Sequence, residues 1–390
     1  MKKVFALLFL ILISKTYSQN TEITITLKDE ETKQNIEGAS VFVVKGKQYH
    51  LSNSDGKVSF SVKGISNIQI SHTGYNALTV RSSTLKETDN VGYLKAKLAV
   101  LEELVVTKQH PQKILASLIE NSSNKLTIPA RLKVYSREFF KLNGEYKNYN
   151  DGLMNFQLTG RPKKIETKIL VEQNRSFGLE AMTDNVSDEL LGYNLNNIME
   201  NYYNFKYLLL LLEPKAKKDF DFFINASATN DDYYTLKAIP FPNSKGLLDD
   251  FAITYDRKKK IIVEVSAIVS PMTIARVVDK TSSNAKNIYK SIFNAKYRID
   301  GNDYYLSSSQ EEIGFEQVKK GRASDIEVRS YLVTTNFSNQ NFSFKETEVF
   351  KDKTLFNKKN EILTNYWHTS GLVPTDEEEE IIQNLEERHK

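Results

Sequence analysis

Two aromatic-rich runs of alternating polarity, RLKVYSREFFKL (131–142) and EYKNYNDGLMNF (145–156), are separated only by Asn143-Gly144. Asn-Gly accepts the positive φ that a two-residue hairpin requires, so the flanking strands must fold back on each other. Asp300-Gly301 stands between IFNAKYRI and DYYLSSSQEEIGF in the same way, and Asp55-Gly56 gives a hairpin signal ahead of alternating Val58, Phe60 and Val62. Parallel strands need crossovers of a dozen or more residues, which these tight turns do not provide. Antiparallel sheet is therefore the material of this chain. Its 21 Phe and 20 Tyr against 1 Trp suit pleated surfaces. A hydrophobic content of 40% excludes a disordered chain.

The N-terminus is of a different kind. Lys2 and Lys3 precede the apolar run Phe5 to Ile13, and small residues Thr16 and Ser18 sit at −3 and −1 of a cut after Ser18. That is the make-up of an export signal, residues 1–18. The run is shorter than the roughly 20 residues that span a bilayer, so no transmembrane segment is expected after cleavage. Lys2, Lys3 and Lys15 account for three charges of the formal +4, leaving +1 on the mature chain. Such a balance gives no reason to expect a nucleic-acid partner. With Cys 0, disulfides, thiolate nucleophiles and cysteine zinc sites are excluded, as is the acylated Cys of a bacterial lipoprotein. The expected location is exported, periplasmic or outer-membrane-associated.

Residues 19–100 are expected to form a first domain. Ile23, Ile25 and Leu27 alternate with polar residues, Gly38 opens an apolar run from Ala39 to Val44, and Ile68 and Ile70 lead to Gly74-Tyr75. Short strands at close turn spacing indicate a small β-sandwich, with 39–44 as a buried central strand. The ordered residues Gly38-Ala39-Ser40-Val41, Asp55-Gly56, Phe60 and Gly74-Tyr75 resemble the carboxypeptidase regulatory-like domain. That resemblance implies a transthyretin-like sandwich of the kind that often opens TonB-dependent transporters and other envelope proteins of Bacteroidota. Leu101 to Thr107, within a linker at 101–110, resembles the segment leading into a transporter's plug. The chain departs from the family at Asn53-Ser54, where Thr-Asp is usual. A peptidase reading fails, because none of His50, His72, His110, His368 and His389 has Glu three positions later. A transporter reading fails too, since the chain is short for a plug plus barrel and ends in a charged helix.

Residues 111–372 are expected to form a larger domain. Pro111 opens a helix with Ile114, Leu115, Leu118 and Ile119 on one face, ending before Pro129. Glu166 to Gln173 is a strand. Leu195, Ile198, Tyr202, Phe205, Leu209 and Leu212 recur every three or four residues and predict one helix, which Pro214 stops. Strand patterns then return from Lys218 to Phe337. The fold class is mainly β: the sandwich, then an antiparallel α+β domain of about ten strands curved like a half-barrel around helices. YSREFFKLNGEYKNYNDGLMNF and NYWHTSGLVPTDEEEEII resemble a domain of unknown function that accompanies the regulatory-like domain, similar in shape to lipoprotein-carrier half-barrels.

Residues 373–390 predict a C-terminal acidic helix. Thr375 caps it, Glu378 completes the capping box, and Ile381, Ile382 and Leu385 dock it, so it reads as a clamp rather than a cation site. Arg257 to Lys260 reads as a solvated hairpin tip, with lipid phosphate as the alternative contact. Asp231-Asp232 and Asp249-Asp250 read as turn residues at strand entrances. His368 beside Trp367 is the best-placed histidine for chemistry, but a lone imidazole there more often packs. No Gly-x-Ser-x-Gly elbow, Gly-x-Gly-x-x-Gly loop or Walker loop is present. No catalytic residue, metal ligand or cofactor site is therefore expected. Two functions lead: a non-catalytic envelope protein that binds a protein partner or glycan through the sandwich, and a carrier of lipid or another apolar ligand in the curved domain. A hydrolase is the third class. Whether the 195–212 helix plugs the concave face or borders it separates the first two.

Overall fold

The structure is a computed structural model that describes residues 20–97, 103–178, 194–227, 232–274, 286–319, 322–340 and 343–389. The export signal, Leu101 and Glu102 of the linker, and Asp231 lie outside the described residues. The described chain forms two units, one running from residue 20 to Ala96 together with His368–Val373, the other made of the remainder.

The first unit has strands β1 (Asn20–Asp29), β2 (Ser40–Val43), β3 (Gln48–Leu51), β4 (Lys57–Lys63), β5 (Asn67–His72), β6 (Tyr75–Arg81) and β7 (Asn90–Leu94). They form a three-stranded sheet ordered β4-β1-β7 and a four-stranded sheet ordered β3-β2-β5-β6. Alternation drives the packing: Ile23, Ile25, Leu27, Val58, Phe60, Val62, Ile68 and Ile70 all turn inward and are at most 2% exposed. β2 is internal to its sheet, as the apolar run requires. The Asp55-Gly56 turn departs from the hairpin expectation. It carries the chain from β3 in one sheet to β4 in the other. Asn53 shapes the turn, its Oδ1 accepting from the N–H groups of Asp55 (3.0 Å) and Lys57 (2.9 Å). Gly56 is required there, with φ +73° and Leu27 O 2.5 Å from where a Cβ would stand. His368–Val373, taken with the larger domain above, joins this unit through backbone pairing of Leu51 N–H to Gly371 O at 2.7 Å.

The second unit begins with helix α1 (Pro111–Lys125), whose first N–H groups are capped by His110 Nδ1 accepting from Gln112 N–H. Strands β8 (Ala130–Leu142), β9 (Glu145–Arg161) and β10 (Lys164–Gly178) follow. After helix α2 (Leu195–Tyr203) come β11 (Phe220–Ala226), β12 (Tyr233–Pro240), β13 (Asp249–Asp256), β14 (Ile261–Val269), β15 (Lys286–Asp300), β16 (Asp303–Lys319) and β17 (Arg322–Ser338). All ten strands make one curved antiparallel sheet ordered β10-β9-β8-β17-β16-β15-β14-β13-β12-β11. Asn143 (φ 51°) and Gly144 (φ 82°) turn β8 into β9, and Gly301 (φ 60°) turns β15 into β16, as the sequence predicts.

The 195–212 segment is not one α-helix. It breaks at Phe205, whose backbone is left-handed (φ 49°), and continues as a 3-10 helix over Lys206–Leu212. A 3-10 helix repeats every three residues, so Phe205, Leu208 and Leu211 line up and are buried while Leu209 is 46% exposed. Tertiary contacts set the break: the Phe205 ring packs on Tyr297, and Gln112 Nε2 donates to the carbonyls of Leu211 (2.8 Å) and Glu213 (2.9 Å).

α1, α2 and the 3-10 helix share one hydrophobic core with Leu132 and Val134 of β8 and Met154 and Phe156 of β9. The other sheet face carries a buried ionic network. Asp151 accepts from the hydroxyls of Tyr149 (2.6 Å), Tyr366 (2.6 Å) and Tyr135 (3.1 Å), and from Arg175 Nη2 at 2.9 Å. Burial pushes the Tyr149 hydroxyl far above its ordinary value, and the Asp151 charge adds to the push. Arg175 in turn lies 4.1 Å over the Trp367 ring. Helix α3 (Asp376–His389) docks beside this network through Ile382 and Leu385 on Phe139, Tyr149 and Phe177. Its capping box is formed, Glu378 N–H donating to Thr375 Oγ1 at 3.1 Å and Thr375 N–H to Glu378 Oε2 at 3.0 Å. The same Glu378 bridges Arg137 (3.1 Å) and Arg329 (2.9 Å).

Two outcomes follow for stability. Asp151→Asn leaves the buried Arg175 without its counter-charge, and denaturant unfolding should show a loss of about 3–5 kcal/mol. His50, buried in the sandwich with neither ring nitrogen hydrogen-bonded, is pushed by burial from 6.5 down to about 4. The unfolded chain therefore takes up this proton before the folded one does. The stability held above pH 6.5 falls as pH drops towards about 4. His50→Leu should remove that part of the acid slope in thermal melts. An unchanged slope would refute the assignment.

Candidate functional site

A cavity of about 450 Å³ opens within the second unit, on the sheet face that carries α1 and α2. Tyr202 at the end of α2 and Tyr207 in the 3-10 helix form one wall, while Phe251, Phe293, Ile313 and Val328 from β13, β15, β16 and β17 contribute opposite it. The Phe205 break creates this wall, because it turns the chain so that two tyrosines three and two residues either side of it face the same space. The size lies within the roughly 300–1,000 Å³ of small-molecule pockets, and the lining is mostly apolar. The segment borders the cavity and does not plug it.

The polar part of the lining comes from sheet register. Ser176↔Asn150, Asn150↔Glu138, Glu138↔Ser330, Ser330↔Glu311 and Glu311↔Phe293 are successive cross-strand partners on β10, β9, β8, β17, β16 and β15. Directly opposed residues share a face about 5 Å apart, so this is a transverse row. Within it, Asn150 Nδ2 (3.4 Å) and Ser330 Oγ (3.3 Å) donate to Glu138. Tyr202 donates to Glu311 Oε1 at 2.6 Å. Desolvation pushes Glu138 up to about 8, with the two donors opposing and the Glu311 charge reinforcing it. Desolvation likewise pushes Glu311 up to about 7, against the Tyr202 hydrogen bond. Glu311 and Ser330 line the cavity. Glu311 is enclosed by protein yet partly accessible, the cavity being the space that reaches it.

The residues singled out from sequence fall mostly elsewhere. Arg257 to Lys260 make the β13–β14 tip, ordered by Asp256 Oδ1 accepting from Lys258 and Lys259 N–H groups. Asp232 pairs with Lys258 at 2.6 Å. Asp249 is the exception: it lines the cavity at the start of β13, and burial, with Asp250 alongside, raises its carboxyl. His368 is exposed, whereas Tyr366 two residues before it reaches Asp151. Glu138, Glu311 and Ser330 went unrecognised, since each looks like an ordinary outward polar residue of an alternating strand. The one available signal was that YSREFF places Glu138 in phase with Val134 and Phe140. Among the described residues no group of three or more His, Asp or Glu is placed to hold a metal ion, and no helix is long and apolar enough to cross a membrane.

No family model matches the chain, and no curated protein matches it. Among solved structures it is similar to a LolA superfamily protein, NE2245 from Nitrosomonas europaea, at 10% identity and TM-score 0.23, over 60% of this chain and 96% of that one. It is similar to MucB in complex with MucA(peri) at 9% identity and TM-score 0.19, over 59% and 99% of the two chains. Lipovitellin gives 12% identity and TM-score 0.24, over 56% of this chain and 26% of that one. Likeness at this level assigns neither family nor function.

The acid row predicts a pH effect opposite in sign to that of His50. Folding raises Glu138 and Glu311 above the ordinary 4.5, to about 8 and about 7. The stability they contribute is complete below pH 4.5 and lost as pH rises through those values. Glu138→Gln should flatten the decline in denaturation midpoint between pH 4.5 and about 8. If the variant declines as steeply as the parent, the row is not where the loss arises.

Proposed function

We propose that this is an exported, non-catalytic carrier that holds an apolar ligand on the face of its curved ten-stranded sheet. The observation that carries this reading is the cavity of about 450 Å³ left between the α2 to 3-10 wall and β15 to β17. A sheet face filled by its own helices has no such space. Tyr207, Ile288, Phe293 and Ile313 keep part of their surface accessible there, and that surface is what a ligand would cover. The leader Phe5 to Ile13 supports a place of action beyond the inner membrane, in the periplasm or at the outer membrane.

The second reading, docking of the sandwich to an envelope protein or glycan, is supported by Val91 and Tyr93 on edge strand β7, 48% and 47% exposed. The resemblance of the first unit to regulatory-like domains points the same way. Both readings are compatible in one protein, since they use different units.

Lipid extraction and mass spectrometry of the purified chain should recover an apolar molecule in near-stoichiometric amount. Ser291→Trp, which fills the cavity from β15, should abolish that recovery with the circular-dichroism spectrum unchanged. A variant that retains the full load would place the ligand elsewhere.

A further inference from the structure

Resting on the carrier reading, we propose that the ligand is an amphiphile with an ammonium head, held between the Glu311 carboxylate and the rings of Tyr202, Tyr207 and Phe293. Three observations lead there. The first is a shortage of donors. Among the described residues Glu311 receives a hydrogen bond from Tyr202, and Glu138 receives two long ones from Asn150 and Ser330. No Lys or Arg among the described residues lies within ion-pair distance of either acid. A carboxylate has about four acceptor positions, so Glu311 has capacity left for donors that an incoming head must bring.

The second is the sorting of charge by strand alternation. On β8, β10 and β17 the arginines Arg137, Arg175 and Arg329 point to the α3 side, where they meet Glu378 and Asp151. Their neighbours Glu138, Ser176 and Ser330 point to the cavity side. The cavity thus has Glu311 on its floor, while Arg137, Arg175 and Arg329 are held across the sheet by acids of their own.

The third is the aromatic surround. Phe293 is the direct cross-strand neighbour of Glu311, the Tyr207 ring is 4.3 Å from Phe293, and the Tyr202 ring is 5.8 Å from it. All three rings line the cavity. Ring faces attract a cation, most strongly where water is thinned. An ammonium head satisfies both the rings and the carboxyl, whereas a carboxylate head would set a second anion beside Glu311. Other charged groups do not reverse this balance. Lys206 and Asp249 also line the cavity, one cation and one acid, and Glu312 is paired with Lys290 at 2.5 Å.

Isothermal titration of the full chain with dodecylamine, dodecanol and laurate, all below their aggregation limits, tests this. At neutral pH dodecylamine should bind about tenfold or more tighter than dodecanol, the worth of one charge-assisted hydrogen bond. Laurate should bind weakest. Glu311→Gln should bring the amine down to the level of the alcohol, and Phe293→Leu should reduce the amine's advantage through the lost ring face. In the parent the advantage should shrink as acid neutralises Glu311. Laurate matching or exceeding dodecylamine, or an advantage that survives both substitutions, overturns the ammonium assignment while leaving the carrier reading intact. Failure of all three probes to bind overturns the carrier reading itself.

Discussion

Pairing of β17 with β8 is the contact on which the larger unit depends. It joins a three-stranded meander at one end of the sheet to a seven-stranded meander at the other, and its partners Glu138 and Ser330 lie 192 residues apart. Without it neither half presents a continuous face. The row from Ser176 to Phe293 crosses this seam, as does the Arg137 to Tyr331 register on the reverse face. Closing so long a loop is entropically costly before any contact repays it. Apolar anchors on both faces, such as Leu132 and Val134 on one and Phe139 on the other, offset that cost by burial.

Strand alternation then makes the two faces chemically different. One residue's step along β8 separates Arg137, fully buried against Glu378, from Glu138, fully buried against Ser330 and Asn150. A shift of one position would exchange them, taking Arg137 from Glu378 and setting Glu138 in its place beside that acid. On the ionic face the charges meet counter-charges from the molecule itself: Asp151 has three tyrosine hydroxyls and an arginine, and α3 delivers Glu378 to two more arginines. Among the described residues Glu138 and Glu311 have no such counter-charge, and theirs is the face with the cavity. The contrast separates polar groups that hold the fold from polar groups left to meet something else.

How far residues alone carried the reading depends on the range of the interaction. Asn143-Gly144 set a hairpin because its backbone needs are local. Thr375 and Glu378 formed their capping box because both partners lie within one helical turn. Inward Ile23, Ile25 and Leu27 followed from period two. Asp55-Gly56 misled because a local turn signal does not say which sheet receives the next strand; Asn53 folded the turn, but the sandwich decided the pairing. Leu195 to Leu212 misled because its apolar spacing fits periods of 3.6 and 3.0 alike, and only Tyr297 and Gln112 chose between them.

The amino-acid order by itself determined the strands, their tight turns, the helix caps and the mainly β class, since each follows from neighbours a few positions away. Tertiary structure alone decided which strands became neighbours, where helix α2 broke, and hence that Glu138, Ser330 and Glu311 stand side by side next to a void. The reason is physical: side-chain periodicity is a local property of the backbone, whereas register between strands 192 residues apart is fixed by the packing energy of the whole sheet.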